Sequence, residues 1–229
     1  MGPYSYLALN IGSVAVPLIA SFYPKHSFFK QWHAFFKANL IVALIFILWD
    51  IYFTKIGVWG FNDAYLSGIY LSNLPLEEVL FFICIPFACT FTYFSLGYFF
   101  KFSPPSKLFL RLLALAAILC VIVAVVNYQR VYTATAFLSA AMFLGVIWRK
   151  KWTGVKLFLT SFTICLLPFY IVNGILSGTG IQEQVVWYND FENLGLRILT
   201  IPLDDHLDSL ALQGFNVFLF DYFKGKDQN

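Results

Sequence analysis

Pro75-Leu76-Glu77-Glu78-Val79-Leu80-Phe81-Phe82 and Pro202-Leu203-Asp204-Asp205-His206-Leu207-Asp208 are the two stretches whose reading decides the fold. Each sets Pro-Leu and two acids at the head of a long apolar run, and they lie 127 residues apart. The same offset carries Phe61-Asn62-Asp63 onto Tyr188-Asn189-Asp190 and Gly68 onto Gly195. Matches at one constant offset, without a gap, mark an internal duplication. Proline suits the first helical position, and acids in the first turn suit the helix dipole. Each unit therefore reads as a helix, an outer loop carrying aromatic-Asn-Asp and a Gly, and then an acid-headed helix.

The surrounding composition places these units in a membrane. Of 229 residues, 60% are apolar and only 12% are charged, against about 25% charge in a soluble domain. That excludes a soluble enzyme, a nucleic-acid binder and a disordered chain. Seven stretches reach the length of about 20 apolar residues that a span needs: roughly 3–23, 34–54, 75–100, 106–127, 131–149, 155–176 and 202–223. The first is not a signal peptide, because its basic residues follow it rather than precede it. No soluble domain is expected at either end. The expected fold is all-α and polytopic, one membrane domain over 1–229. Two parallel three-helix repeats, 1–100 and 131–223, are joined by a connector helix, 106–127. An even step of four helices keeps both copies in one orientation, related by an axis along the membrane normal.

The few charges are sorted. Twelve of the 15 Lys and Arg flank the loops after spans 1, 3 and 5 and the C-terminal tail; Lys55, Arg130 and Arg197 lie on the other side. The positive-inside rule then puts the N-terminus out and the C-terminus in the cytoplasm. Ten of the 12 carboxylates take the outer side, and only Asp221 and Asp227 are inner.

Either acid pair alone has a bland reading, a capped helix start at the lipid–water boundary. Two copies aimed into one bundle read as a functional site, since ionisable residues within spans are costly. Four neighbouring carboxyls, Glu77, Glu78, Asp204 and Asp205, cannot all ionise cheaply, so at least one keeps a proton near neutral pH. Environments that separate paired acids supply both an acid and a base. Arg197 has three readings: the partner of one of these carboxylates, a solvated loop charge, or a salt bridge to Glu192. Trp59, Phe61, Tyr70, Trp187 and Tyr188 lie in the outer loops beside the acids, and Phe81 and Phe82 follow Glu78 within a turn. Aromatic faces attract cations. A protonated acid with aromatic walls and little water is what carbocation chemistry requires, although most aromatics in such a chain face lipid or pack.

Other chemistries find little support. Three His residues are too few for a membrane di-iron site, and the four Cys have no metal spacing and read as buried, inert thiols. No Gly-x-Gly-x-x-Gly opens a βα unit. The last span has no Lys before Lys224 for a retinal Schiff base. Asp204-Asp205-x-x-Asp208 does spell a Mg²⁺-diphosphate motif of prenyl-transferring enzymes. The first copy lacks a third acid, however, and the motif falls on the outer side. A non-catalytic carotenoid-binding membrane protein is the other alternative.

The Pro75–Phe82 run resembles that of the small membrane-integral lycopene cyclases, which occur as two short bacterial subunits, as fused chains, and as the N-terminal domain of fungal bifunctional enzymes. Trp49-Asp50, Phe53-Thr54, Gly57-Val58-Trp59, Phe61-Asn62 and Gly68-Ile69-Tyr70 look like the same family. So do Asn189, Glu192-Asn193-Leu194-Gly195-Leu196-Arg197-Ile198, Thr200-Ile201-Pro202-Leu203-Asp204-Asp205, Asn216-Val217 and Asp221. The resemblance implies closure of the acyclic ψ ends of lycopene into β-ionone rings, giving γ- or β-carotene, with no redox change and no cofactor or metal. It implies a bacterial inner-membrane enzyme whose partners are an acyclic carotenoid and the bilayer, with a homo-oligomer left open. Glu77, Glu78, Asp204 and Asp205 stand as the catalytic acids. Asp50, Asn62, Asn189, Glu192, Asn193, Arg197 and Asp208 are their supports, and the seven aromatics form the substrate walls. His206-Leu207-Asp208 departs from the bulky aromatics the family carries there.

Overall fold

The computed structural model describes residues 2–226, so Met1 and the predicted inner acid Asp227 lie outside the described residues. Seven long helices form, as the apolar runs require: α1 (Ser5–Ala20), α2 (Trp32–Ile56), α3 (Leu76–Phe99), α4 (Lys107–Val126), α5 (Val131–Lys150), α6 (Val155–Leu176) and α7 (Leu203–Lys226). Five of them, counting α2 with the turn before it, are long and apolar enough to cross a membrane. The first expected span is shorter than its apolar run, with α1 limited to 16 residues, about 24 Å. The seventh carries Asp204, Asp205 and Asp208 in its first two turns, which removes it from the uniformly apolar class.

The loops at the acid-bearing end of the bundle hold three small ladders that hydropathy does not foretell. β1 (Trp59–Phe61) pairs antiparallel with β4 (Val186–Tyr188). β2 (Tyr70–Leu71) pairs with β3 (Leu74–Pro75), and β5 (Arg197–Ile198) with β6 (Ile201–Pro202). In a loop that caps a membrane bundle, these ladders satisfy backbone groups that would otherwise be stranded.

The 127-residue offset recurs in the geometry. Leu76 donates its N–H to Ile69 O at 2.8 Å, and Leu203 to Leu196 O at 2.8 Å. The Asn62 side chain accepts from Ala64 N, and Asn189 from Phe191 N, both at 3.1 Å. Gly68 and Gly195 both take the left-handed conformation, φ +81° and +68°, which a residue with a Cβ rarely tolerates. In the β1–β4 ladder Gly60 lies opposite Trp187, its own counterpart at that offset. An antiparallel pair has a local two-fold axis, so the axis relating the halves passes through this ladder.

Helix packing follows the same axis. α1 packs on α3 and α5 on α7, while α2 crosses to α7 and α6 crosses to α3; α4 lies along α5. The core on the cytoplasmic side of the predicted topology is aromatic, with Phe28, Phe35, Phe143, Phe158 and Phe220 all buried. Among them Asp221 accepts hydrogen bonds from Tyr93 Oη (2.6 Å) and Trp152 Nε1 (3.0 Å).

A Cβ added to Gly60 would sit 2.3 Å from the Trp187 ring. Gly60→Ala is expected to destabilise the protein by about 1–3 kcal/mol, the usual cost of overpacking. Thermal unfolding in detergent checks this, and Trp187→Ala in the same chain should restore part of the loss.

Candidate active site

The acid pairs divide by a simple helical rule. Successive residues on a helix point about 100° apart, so the two acids of each pair cannot face the same way. Glu77 and Asp204 turn back to the loops. Glu77 Oε1 accepts from Ser67 N at 2.7 Å. Asp204 accepts from Leu194 N at 3.3 Å, the equivalent bond one repeat on, and from Thr133 Oγ1 at 2.6 Å. Both are fully buried, at 0% exposure.

Glu78 and Asp205 turn inward to a cavity of about 90 Å³, whose walls also carry Asp50 and Asp208. Tyr6 on α1 donates to Glu78 Oε2 at 2.6 Å. Asp205 receives two phenols: Tyr132 of α5 on Oδ1 and Tyr188 of β4 on Oδ2, the latter at 2.8 Å. Asp50 Oδ1 accepts from Trp59 Nε1 and Thr54 Oγ1, its Oδ2 has no hydrogen-bond partner among the described residues, and its carboxyl shares the cavity wall with Glu78. Asp208 takes no hydrogen bond among the described residues. Of the expected aromatic walls, Trp59, Phe61, Phe81, Phe82 and Tyr188 line the cavity. The Tyr188 phenol, in its loop, is held well above its ordinary pKa by burial and by the charge of Asp205, so it remains a donor at any physiological pH.

The other expected residues serve the loops. Tyr70 is 43% exposed and donates to Asp63, and its phenol is pushed up to about 12 by burial and by that bond. Trp187 is 42% exposed and covers Gly60. Asn62 donates to Glu183 at 3.0 Å. Asn189 closes the turn to Phe191 described above and Asn193 the turn to Gly195, while Glu192 receives Val131 N at the head of α5. Arg197 pairs with neither a catalytic acid nor Glu192. Its Nη2 meets Asp190 at 2.6 Å, its Nη1 meets Thr200 O at 2.7 Å, and its guanidinium lies 5.7 Å from the Tyr188 ring centre. Burial opposes ionisation of Asp190 more than any one partner favours it, but the Asn193 and Arg197 bonds and the Arg197 charge together outweigh it and hold that carboxyl below its usual range. Tyr70–Asp63 and Arg197–Asp190 occupy equivalent positions, one a hydrogen bond from a phenol and one an ion pair.

The Asp204-Asp205-x-x-Asp208 set does not converge. Asp204 is engaged by Thr133 and Leu194, while Asp205 and Asp208 face the cavity. A diphosphate-bound Mg²⁺ needs these carboxylates on one ion, and the helix separates them. His206 packs against Phe169 and Tyr170 of α6, with Nε2 3.1 Å from Tyr170 Oη.

Sequence reasoning missed Tyr6 and Tyr132. They are tyrosines inside otherwise apolar spans, and they sit 126 residues apart, so a search at one fixed offset passes over them. It also missed an apolar groove of about 440 Å³ between α1, α3 and α6. Ile85, Phe169, Asn173, Ser209 and Gln213 line both groove and cavity, so the two are continuous. Ala8, Gly12 and Ile171 are exposed at the groove's rim, opening it to the outside of the bundle.

A family model described as Lycopene cyclase matches residues 3–96 and 129–223. The chain belongs to the lycopene cyclase family. The two matched segments end at 96 and 223, again 127 residues apart. No curated protein and no solved structure matches the chain. Family membership implies a cyclase that acts on a carotenoid, and the long apolar helices place it in a membrane.

Removing the Thr133 hydroxyl leaves buried Asp204 with the long Leu194 bond alone. Thr133→Val should cost about 1.5–3 kcal/mol, the range for hydrogen bonds to charged groups, read as a lower Tm in detergent.

Proposed function

We propose that this chain is a lycopene β-cyclase that closes the ψ ends of lycopene into β-ionone rings without cofactor or redox change. It would act as a multi-pass protein of the bacterial inner membrane, N-terminus out and C-terminus in, built from duplicated units 1–100 and 131–223 around connector 106–127. One observation carries the reading: Glu78, held by Tyr6, and Asp205, held by Tyr132 and Tyr188, flank a small aromatic cavity that is continuous with an apolar groove.

The hydrogen bonds suggest separate roles for the acids. Asp205 receives an O–H on each oxygen, an arrangement that favours the carboxylate and suits a base. Glu78 shares the wall of the small cavity with Asp50, and two neighbouring buried carboxyls hold a proton between them rather than both ionise. That pair is the proton source. The proton adds to the terminal double bond of the ψ end and leaves a tertiary cation. The neighbouring double bond attacks it and the ring closes, moving the cation onto the ring. Asp205 then takes a proton from the adjacent ring carbon, which sets the ring double bond. One proton enters and one leaves, so the product is an isomer of the substrate. The indole of Trp59 and the phenyl rings of Phe81 and Phe82 face the cation, and the apolar groove keeps out water that would trap it. Glu77 and Asp204 hold the loops over the cavity, and Asp208 adds a further carboxyl beside Asp205.

Expression in a lycopene-accumulating bacterium tests this. Pigment chromatograms should show cyclised carotene with the wild type, unchanged when the membranes are assayed in EDTA. Glu78→Gln and Asp205→Asn should each lower the product by about 10²- to 10⁴-fold, the weight of an acid or base group. Glu77→Gln should lower Tm more than rate. Unaltered lycopene with the wild type, or full product with both cavity variants, overturns the assignment.

A further inference from the structure

The two halves share a backbone plan, yet only one of them offers the groove. Under the 127-residue offset each groove position has a counterpart on the opposite side of the bundle, where α5, α7 and α2 take the places of α1, α3 and α6. Those counterparts are filled. Gly12, exposed at the rim, becomes Ser139, which is 9% exposed. Ala88 becomes Phe215, whose ring packs on Phe143 with centroids 5.4 Å apart. Asn173 and Ser209, at the junction of groove and cavity, become Phe46 and Phe82, which are buried and pack together with Val42 and Leu212. Cys89 and Leu166, which line the open groove, become Asn216 and Asn39. These two join side chain to side chain at 3.1 Å, and Asn39 also donates to Phe82 O at 2.9 Å. The counterpart passage is thus packed with rings and bolted by a buried amide pair, and α4 lies against α5 outside it.

Taking the reading above as its basis, we propose that the α1–α6 groove is the single carotenoid site of the chain. It holds the acyclic polyene body while one end group reaches the Glu78–Asp205 cavity. The occupant follows from the chemistry. The groove wall is apolar, it runs without a break into the acid cavity, and its rim opens where lipid surrounds the bundle, so an apolar rod with a reactive end fits and a headgroup does not. At the junction Gln213 is 2% exposed with its Oε1 unpartnered, so a polar atom of the groove stands where it joins the acid cavity, beside the reacting end. With one mouth and a closed far side, a polyene cannot pass through the protein. A second ring can form only after the monocyclic product withdraws, turns end for end in the bilayer and returns.

Two measurements on the whole protein in phospholipid vesicles, with lycopene as the probe, test this. The first is the product formed while lycopene is in large excess. Monocyclic carotene should predominate, with the dicyclic product appearing after a lag and suppressed by added lycopene. Dicyclic carotene from the first turnovers, unaffected by added lycopene, overturns the single-mouth proposal while leaving the cyclase reading intact. The second fills the groove from α1. Gly12→Trp should lower both ring closures by about 100-fold, the scale of loss when a reacting end is held out of place. Ile19→Trp, on the same helix but outside the groove and 75% exposed, should keep wild-type rates. Equal, undiminished activity of both variants, with both eluting as folded protein in size exclusion, overturns the groove as the site. No cyclic product from the wild type overturns the cyclase reading and this proposal with it.

Discussion

A carboxyl group taken out of water costs several kcal/mol unless donors or a proton replace the solvent. The chain gathers Asp50, Glu78, Asp205 and Asp208 around one small cavity, and much of the outer half of the fold supplies their hydrogens. The donors come from five separate elements. Tyr6 arrives on α1, Thr54 on α2, Tyr132 on α5, Trp59 on β1 and Tyr188 on β4. No single helix could present them, because donors around a common centre must approach from different directions. The β1–β4 ladder is what brings two of them together. It sets Trp59 directly opposite Tyr188, one serving Asp50 and the other Asp205. The ladder therefore joins the two halves and supplies a donor to one acid in each.

Much of this was legible in the sequence because duplication leaves a regular trace. The constant offset fixed which loops are equivalent, and low charge fixed the membrane. Other features were illegible for definite reasons. A helix start announces that acids belong in its first turn but not which of two neighbours faces inward; that depends on the rotation of the whole helix, set by packing of α1 on α3 and α5 on α7. Tyr6 and Tyr132 looked like any other tyrosine in an apolar run, since a phenol gives no hydropathy signal. Arg197 carried the strongest local charge beside the second pair, and proximity in sequence suggested Glu192 or a catalytic acid. The β5–β6 hairpin turns it instead toward Asp190, just as β2–β3 turns Tyr70 toward Asp63. Tyr70 and Trp187 were read as substrate walls from their place in the loops, and the same hairpins and ladder direct them to the surface.

The duplicated plan also shows how two like halves acquire unlike tasks. Substitutions at equivalent positions changed chemistry without changing backbone. Tyr70 and Arg197 make the same loop bond, one with a neutral donor and one with a charged donor. Phe81 and Asp208 occupy the same turn, so the second half adds a carboxyl where the first presents a ring. Asp50 has Ser177 as its counterpart, which bonds to Thr200 and leaves the first half alone with a carboxyl beside its glutamate. A site with two identical acids has no reason to direct a proton one way. Here one side sets two carboxyls on one cavity wall and the other a carboxyl between two phenols, and that difference separates the tendencies to give and to accept.

The same logic explains why closing one passage matters as much as opening the other. A channel through the bundle, related to itself by the two-fold axis, would run between two lipid-facing mouths past buried acids, and any water or lipid chain threading it would reach the cation. Large side chains at one mouth and small ones at the other remove that route while preserving the fold. Ala88 against Phe215 and Ser209 against Phe82 are differences of side-chain volume alone. The Asn39–Asn216 bond adds what volume cannot. A buried amide pair is worth most when both partners stay in place, so it resists the breathing of α2 against α7 that would reopen the closed side.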